Sequence, residues 1–242
     1  MHLKLNNPTA FTKSIELISD LVLEVRVKIN EFGMSIVAID PANVAMVSFK
    51  IPKSAFLEFE AGEEVLGINL DNFKKILKRA GKTSSLTLNK NENFLEIQIE
   101  DKVKRNFSLS LIEVEGEEKE MPAHLEYSSK VELSSQDLID SIEDCLVVSD
   151  AGSFIVENGN FIVEAKELNS ARSEFSSEDI TIEAEDCKSR YSLDYLQKFL
   201  KAGKLSEKTV LNFAEDHPLK IDFRFEEVSL SFLLAPRIET ED

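Results

Sequence analysis

A short amphipathic segment occurs twice in the chain, and this repeat limits the possible folds more than any other feature. The first copy, LDNFKKILKRAG, spans Leu70 to Gly81, and the second, LDYLQKFLKAG, spans Leu193 to Gly203. In both copies the apolar residues recur at helical spacing, which predicts a helix with one buried face. Because the copies lie about half a chain length apart, the sequence predicts two domains with the same plan.

The first copy also carries signals for its two ends and a basic outer face. Asp71 is predicted to be the N-cap, and Gly81 is predicted to end the helix. The apolar residues and the basic residues fall on different sides of this helix. The apolar stripe consists of Phe73, Ile76, Leu77 and Ala80, and the rest of the circumference carries Lys74, Lys75, Lys78 and Arg79.

The basic helices stand out because the chain is strongly acidic, with 45 Asp and Glu against 28 Lys and Arg and a formal net charge of −17. Such a charge opposes general adhesion to nucleic acid, so any such contact requires a segregated basic surface. Phosphates need cations but no particular side-chain geometry, and these helices therefore predict sequence-independent, salt-sensitive contact. The candidate residues are Lys13, Lys74, Lys75, Lys78, Arg79, Lys82, Lys198, Lys201 and Lys204.

Short strands occupy most of the chain between the helices. Residues 23–30 alternate apolar and polar side chains, which predicts a half-buried antiparallel strand with Leu23 on its apolar face. Asn158-Gly159 between two apolar runs predicts a two-residue hairpin turn. Each half of the chain runs helix, strands, helix, strands, rather than alternating one strand with one helix. This order predicts an α+β fold with antiparallel sheets and four helices.

The two remaining helices have their own start signals. Asn7 is predicted to be the N-cap of the first helix, with Pro8 at its first position. Ser134 or Ser135 is predicted to cap the third helix, which carries an apolar stripe at helical spacing. The four helices are thus predicted to be distributed two to each half of the chain.

An acidic segment separates the two halves. Residues 113–120 contain five glutamates, and Met121-Pro122 prevents regular structure from continuing, so residues 112–127 are predicted to form an interdomain connector. The domains then span residues 1–111 and 128–242. The longest apolar runs have the length of strands, so no membrane span is predicted. Cys145 and Cys187 show no metal-ligand spacing, which indicates buried thiols in a reducing compartment.

No catalytic or cofactor motif is present. The three histidines, His2, His124 and His217, are scattered, and the chain has only eight glycines and no phosphate-binding loop. Neither a nucleophile elbow nor an HExxH motif occurs. Carboxylates are so abundant that no chosen pair is informative. The sequence therefore predicts binding rather than catalysis, with no metal and no cofactor.

Five segments together resemble the sliding-clamp family of archaea and eukaryotes, proliferating cell nuclear antigen. They are AIDPANVAMV (38–47), GINLDNFKKILKRAG (67–81), YSLDYLQKFLKAG (191–203), HPLKIDF (217–223) and LLAPRIE (233–239). The resemblance covers essentially the full length, and the short ending resembles archaeal members. It implies a DNA-clamp fold in which three two-domain subunits form a pseudo-sixfold ring. It also implies a cytoplasmic, non-enzymatic processivity factor that encircles double-stranded DNA without reading its bases.

The resemblance further implies a pocket for partner proteins beneath the connector. Family partners include DNA polymerase, the clamp loader, a flap nuclease and DNA ligase, each inserting the apolar anchors of a short peptide. Lys119 stands where the family often has an apolar residue. Matched by motif position, the pocket consists of Ile39, Val44, Met46, Met121, Pro122, Pro218, Leu233, Leu234, Ala235, Pro236 and Ile238.

Subunits of this family join through edge strands. By resemblance, residues 104–111 of one subunit pair with residues 170–177 of the next, which removes two exposed edges. The expected assembly is a homotrimer. The candidate interface residues are Lys104, Arg105, Phe107, Leu109, Arg172 and Phe175.

The third helix departs from the family pattern. Residues 135–146 carry Asp137, Asp140, Glu143 and Asp144 but no Lys or Arg, whereas family members commonly place basic residues there. We therefore expect the C-terminal domain to contact DNA less than the N-terminal domain does.

Three other interpretations of the sequence compete with a self-sufficient ring. The first is an acidic adaptor that gathers partners without encircling DNA. The second is an enzyme with a carboxylate site, which requires convergent acids with perturbed pKa values. The third is one subunit of a mixed ring, because archaeal clamps resembling this chain can be homotrimers or heterotrimers.

Overall fold

The computed structural model describes residues 1–238 of the 242-residue chain. In the N-terminal half the elements are β1 (His2–Asn6), α1 (Thr9–Ser19), β2 (Glu24–Asn30), β3 (Gly33–Ile39), β4 (Ala45–Pro52), β5 (Glu58–Glu60), β6 (Glu64–Asn69), α2 (Leu70–Leu77), β7 (Ser85–Asn91), β8 (Phe94–Glu100) and β9 (Lys104–Ser110). In the C-terminal half they are β10 (Ser129–Ser134), α3 (Ser135–Leu146), β11 (Ala151–Glu157), β12 (Asn160–Lys166), β13 (Ser170–Phe175), β14 (Thr181–Ala184), β15 (Cys187–Ser192), α4 (Leu193–Leu200), β16 (Lys208–Phe213), β17 (Leu219–Phe225) and β18 (Val228–Leu234). Short 3-10 turns occupy Lys53–Ala55 and Lys201–Lys204. No helix in the described part of the chain is both long and apolar enough to span a bilayer.

The chain divides into two compact units. The first comprises Met1–Pro41, Val47–Met121 and Phe225–Leu230, and the second comprises Ala42–Met46, Pro122–Arg224 and the chain from Ser231 onward. Each unit therefore includes a short segment from the opposite half of the sequence. Two of the four α-helices described in residues 1–238 lie in each unit, as the repeat predicted.

The sheets of the two units have the same antiparallel plan. In the first unit β5, β1, β7, β8 and β9 are neighbours in that order, and β2 pairs with both β3 and β6. In the second unit the order is β13, β12, β11, β15, and β10 pairs with both β14 and β16. The α+β fold class with antiparallel sheets is confirmed. In both units the helices follow strands directly, with α2 after β6, α3 after β10 and α4 after β15.

Aromatic side chains form the centre of the first unit. Phe11 of α1 lies with its ring centroid 6.1 Å from that of Phe49 and 6.1 Å from that of Phe73 on α2. All three side chains are almost completely buried. Burial of such rings contributes both apolar area and edge-to-face contacts. This packing fixes the inner faces of α1 and α2 and leaves their polar faces outward.

The second unit has a comparable aromatic core. Phe154 lies with its centroid 5.5 Å from Phe161, 5.6 Å from Tyr191 and 6.0 Å from Phe213. Phe199 of α4 stacks on Phe232 at 4.4 Å. These contacts hold α4 by its apolar stripe, so its basic residues face away from the core.

The start of α1 differs from the sequence prediction. Asn7 has a positive φ of 52°, and Pro8 is the N-cap rather than the first helical residue. The Pro8 carbonyl accepts from the Thr12 N–H at 2.8 Å, while Asn7 Oδ1 accepts only from the Thr9 hydroxyl at 2.6 Å. The prediction of Asn7 as N-cap was wrong because Asn7 occupies the left-handed turn conformation that asparagine tolerates.

The start of α2 also lies two residues earlier than predicted. Asn69, not Asp71, is the N-cap, and its Oδ1 accepts from the Asn72 N–H at 3.1 Å. Asp71 lies in the first turn, where a negative charge favours the helix dipole. On α3, Ser134 is the N-cap and accepts from the Asp137 N–H at 3.4 Å.

Two strand predictions had different outcomes. Asn158 and Gly159 have φ values of 52° and 79° and join β11 to β12, so the hairpin prediction is confirmed. On β2 the side chains of Val25, Val27 and Ile29 are buried, but Leu23 is 53% exposed. The prediction for Leu23 was wrong because β2 begins at Glu24, after the alternating pattern has already started.

Candidate nucleic-acid interface and partner surface

Lys74 is held by neighbouring residues and is poorly placed to reach a ligand. Its Nζ lies 3.1 Å from Asp71 Oδ1 and donates to the Ser19 hydroxyl oxygen at 2.8 Å. Its side chain is largely covered. Lys74 therefore ties α2 to the end of α1.

Glu16 of α1 lies between two of the predicted cations. Its two carboxylate oxygens accept from Lys13 Nζ at 2.9 Å and from Lys78 Nζ at 2.7 Å. The hydrogen bonds from Lys78 and Lys13 lower the pKa of Glu16. Lys13 and Lys78 are thus already compensated by a carboxylate when no ligand is bound.

Three other cations of this face have no such compensation. The side chains of Lys75, Arg79 and Lys82 are exposed, and none of them forms a hydrogen bond or ion pair with another residue among 1–238. They lie on α2 or within five residues of its end. These three side chains form the most available positive surface of the first unit.

The second basic helix offers a smaller cationic surface. Lys198 of α4 lies 5.3 Å from the centroid of the Tyr195 ring, a cation–π contact. Lys201 and Lys204 are exposed on the 3-10 turn that follows α4. All three side chains point outward from the apolar stripe, as the helical spacing predicted.

The outward face of α3 is acidic. Asp137, Asp140, Glu143 and Asp144 are all exposed, and the Gln136 amide donates to Asp140 Oδ1 at 2.7 Å. In the second unit, α3, α4 and the 3-10 turn after α4 together carry three cations and five carboxylates. In the first unit, α1, α2 and the residues that directly follow them carry six cations and three carboxylates. The positive potential is therefore concentrated in the first unit.

The acidic connector is fastened to the polar face of β2. Arg26 donates from Nη2 to the carbonyls of Val114 and Gly116 and from Nη1 to the Glu117 carbonyl at 3.2 Å. Lys28 Nζ lies 2.7 Å from Glu118 Oε2 and lowers the pKa of that carboxyl. No helix or strand is assigned between β9 and β10 in the described chain. The connector thus keeps a defined position through its backbone carbonyls rather than through regular structure.

A cleft of about 450 Å³ lies between this connector and strands β2, β3 and β4. Its lining brings together Ile39 and Met121, two residues of the predicted partner pocket. At the start of the connector, the Ile112 N–H donates to the Gly67 carbonyl at 3.0 Å. A Cβ added at Gly67 would lie 1.9 Å from the Ile112 carbonyl oxygen, so this close approach requires glycine.

The other predicted pocket residues lie in the second unit and differ in exposure. The Ala235 N–H donates to the Val44 carbonyl at 2.9 Å, which brings these two residues together. Leu234 is completely buried and Leu233 is 8% exposed, so both lie in the core and neither offers a surface. Pro122 and Ile238 are exposed, and the half-exposed residues are Met46, Pro218 and Pro236.

The predicted interface strands are both sheet edges. β9 and β13 each have a hydrogen-bonded neighbour on one side only. Phe107 and Phe175 are half-buried, Leu109 is buried, and Lys104 is exposed. Each edge therefore presents a row of backbone groups available to another strand.

The two arginines predicted at these edges already have partners within the chain. Arg105 contacts Asp101 and donates to the Arg79 carbonyl at 3.0 Å, leaving its buried Nε without a partner among the described residues. Arg172 lies 3.2 Å from Glu164 and 3.3 Å from Glu174. Any contact that these arginines make with another subunit must add to or replace these pairs.

Sequence reasoning missed the residues that organise these surfaces. Arg26 and Lys28 contact residues about ninety positions away, and no local pattern reports such a contact. Glu16 has a weak local signal, since it lies three residues after Lys13 on the same helix. Among residues 1–238, no group of His, Cys, Asp or Glu is arranged to hold a metal ion.

The cysteines are only partly as predicted. Cys145 is completely buried, and burial raises the pKa of its thiol to about 11. Cys187 is half-buried, with its Sγ 3.0 Å from the Ser129 hydroxyl oxygen. The prediction that both thiols are buried was wrong for Cys187, which starts β15 at its solvent-facing end.

Comparison with known proteins gives a consistent result over the whole chain. Residues 1–119 match the family model for the N-terminal domain of proliferating cell nuclear antigen, and residues 121–238 match the model for its C-terminal domain. A protein named DNA polymerase sliding clamp from Thermococcus onnurineus is 38% identical over 237 residues, 95% of each chain. Its counterpart from Pyrococcus horikoshii is 35% identical with the same coverage.

Two solved structures match in fold. Proliferating cell nuclear antigen from Entamoeba histolytica has a TM-score of 0.90 at 24% identity, covering 98% of each chain, and supports the fold alone. A PCNA2–PCNA3 complex from Sulfolobus tokodaii has a TM-score of 0.89 at 27% identity, covering 99% of this chain and 100% of the other.

Proposed function

The chain belongs to the proliferating cell nuclear antigen family, and from this membership we propose that it is a DNA sliding clamp. In this proposal three copies close into a ring around duplex DNA and keep a polymerase on its template. The clamp performs no chemistry of its own and works in the cytoplasm, where archaeal DNA lies. The observation that carries the proposal is the match of both family domains in order, together with basic helices in an acidic chain.

The distribution of charge supports contact with DNA inside such a ring. Lys75, Arg79 and Lys82, which have no side-chain partner within residues 1–238, share one short helix and its exit, and duplex phosphates would bind them without base readout. Lys198 and Lys204 provide a second, smaller contact surface. Few contacts per subunit give weak binding, and weak binding permits sliding.

The free strand edges support closure of the ring. We place β9 of one subunit against β13 of the next, where the backbone groups of both edges would be paired. Phe107 and Phe175 would gain additional burial at this junction. Strand pairing of this kind would remove the exposed edges of β9 and β13, which otherwise invite unspecific association.

The connector and its cleft support a site for partner peptides. We propose that a short apolar peptide of a polymerase, clamp loader, flap nuclease or ligase binds beside Ile39 and Met121. Within the second unit, Tyr127 and His217 contact each other and carry polar atoms that no described residue satisfies. Their rings pack edge to face at 5.6 Å, and the Tyr127 hydroxyl and His217 Nε2 are buried without a partner among the described residues.

Two measurements test this proposal. The solution mass of the purified protein at micromolar concentration should be three times 27.3 kDa. After loading by a clamp loader, the protein should remain on nicked circular DNA and be lost when a nuclease linearises that DNA. Equal loss from circular and linear DNA would contradict encirclement and favour an acidic adaptor.

A mixed ring is the second candidate because one structural neighbour is a complex of two different family members. In that case the purified chain would remain a monomer or dimer and would form a ring only with a second clamp protein. The same mass measurement separates the two candidates: a trimer of this chain alone rules out the need for a second subunit.

A further inference from the structure

We propose that Glu16 is an internal competitor for DNA phosphate, which holds Lys13 and Lys78 partly neutralised and keeps the grip on DNA weak. This inference rests on the proposed clamp function and concerns how strongly the same surface binds. In this proposal each of the two lysines forms an ion pair either with the Glu16 carboxylate or with a phosphate of the duplex.

The geometry supports a shared counter-ion rather than two separate pairs. Glu16 Oε2 accepts from Lys13 at 2.9 Å on the same helix, and Glu16 Oε1 accepts at 2.7 Å from Lys78, the C-cap residue of α2. Both oxygens are therefore used. About half of each lysine side chain is exposed, so both ammonium groups remain accessible to a ligand from solvent.

The ion pairs of Glu16 with Lys13 and Lys78 are weak enough for a DNA phosphate to compete with the carboxylate. Solvent-exposed ion pairs contribute about 0.2–1 kcal/mol, so a phosphate can displace the carboxylate at small cost. The carboxylate stays beside the newly bound phosphate, however, and like charges at short range disfavour the complex. The lowered pKa of Glu16 keeps this carboxylate ionised at neutral pH.

The neighbouring lysines Lys74 and Lys75 do not share a carboxylate in the way that Lys13 and Lys78 share Glu16. Lys74 is directed to Asp71 and Ser19, and it fastens α2 rather than facing outward. Lys75 on the next position has no carboxylate partner among the described residues. Lys75 on α2 and Lys78 at its C-cap therefore lie one turn apart, and of the two only Lys78 has a carboxylate partner among residues 1–238, so the two lysines can be compared directly.

The test is the variant Glu16→Gln, with Glu143→Gln as the matched control. Both changes remove one carboxylate from a helix, at a half-buried position for Glu16 and an exposed one for Glu143, but Glu143 has no lysine partner among the described residues. Affinity for a linear duplex of about 30 base pairs is measured by fluorescence anisotropy across a salt titration. We expect Glu16→Gln to raise affinity about three- to tenfold at low salt and to steepen the slope of log K against log salt by about one to two. Glu143→Gln should change affinity less than about threefold.

A second arm leaves Glu16 intact, so it holds even if the first variant folds poorly. Lys78→Gln should weaken duplex binding less than Lys75→Gln, because only Lys78 begins with a compensating carboxylate. A third arm does use Glu16→Gln: in a Lys13→Gln, Lys78→Gln background, its gain in affinity should fall to that of the control.

The outcomes separate this inference from the clamp function itself. Equal effects of Glu16→Gln and Glu143→Gln, or equal losses for Lys78→Gln and Lys75→Gln, overturn the competitor role and leave the clamp function standing. If Lys75→Gln itself leaves duplex binding unchanged, the proposed DNA surface is wrong, and the competitor role falls with it.

Discussion

Arg26→Ala should release the connector while leaving the folded core intact. In the wild type the guanidinium of Arg26 donates to three backbone carbonyls of the connector, those of Val114, Gly116 and Glu117. A hydrogen bond from a charged donor contributes about 1.5–3 kcal/mol when shielded and less when water competes. Because these bonds are partly exposed, we expect about 2–3 kcal/mol for the set.

That free energy sets the size of the expected signal. A loss of about 2–3 kcal/mol corresponds to an increase of about 30- to 150-fold in the population of the open connector. Hydrogen–deuterium exchange measures this population directly in peptides covering residues 111–121. The Ile112 N–H, which donates to Gly67 in the closed arrangement, should lose protection together with its neighbours.

A control comes from the same cleft. Lys50 also lines it, but it forms no hydrogen bond with the connector among the described residues, so Lys50→Ala should leave exchange unchanged. Arg26→Lys should restore only part of the protection, because an ammonium group cannot reproduce the planar fork of a guanidinium. If Arg26→Ala and Lys50→Ala give the same connector exchange, the fastening role of Arg26 is refuted.

Three further predictions concern charge, pH and close packing. Charge reversal at Lys75 and Lys78 should reduce clamp-stimulated DNA synthesis more than reversal at Lys198 and Lys201, and equal losses would refute the asymmetry between the units. The hydrogen bond that His2 Nε2 donates to the Glu58 carboxylate raises the pKa of His2, so the stabilisation of the β1–β5 pair is present below pH 6.5 and lost as pH rises through the raised value. Protection factors of β5 amides, which remove the pH dependence of intrinsic exchange, should show this loss with rising pH in the wild type and not in His2→Gln. Gly67→Ala should destabilise the protein by about 1–3 kcal/mol in urea unfolding. Gly62→Ala, whose added Cβ would meet nothing within 4 Å, should lie within about 0.5 kcal/mol of wild type.

The sequence was sufficient for features that depend on local periodicity. The apolar stripe of α2 predicted the burial of Phe73 and Leu77, and the Asn158-Gly159 pair predicted its hairpin. Helix starts were less predictable, because Asn69 and Asp71 are both capable caps and the conformation of the preceding strand decides between them. The path of β6 into α2 selects Asn69.

Contacts between distant parts of the chain could not be predicted in the same way. The polar face of β2 indicated only that Arg26 would be accessible to solvent. Its actual partners are carbonyl groups, which every residue possesses and which leave no trace in the amino-acid sequence. The acidic composition of residues 113–120 predicted the connector, but the side chain that fastens it became visible only with the three-dimensional structure.

The basic surface could not be fully predicted from the sequence either. The net charge of the chain and the positions of its individual charges lead to different conclusions about binding to DNA. A net charge of −17 indicates repulsion from DNA, yet at physiological ionic strength charges interact mainly within about 8 Å. At that range Lys75, Arg79 and Lys82 are governed by their immediate surroundings, in which no carboxylate pairs with them among the described residues. Lys13 and Lys78 are governed by Glu16. A ring that is retained on DNA by its topology needs only weak contacts, and stronger ones would slow its sliding. A surface that mixes free and compensated cations meets that requirement, which a uniformly basic surface would not.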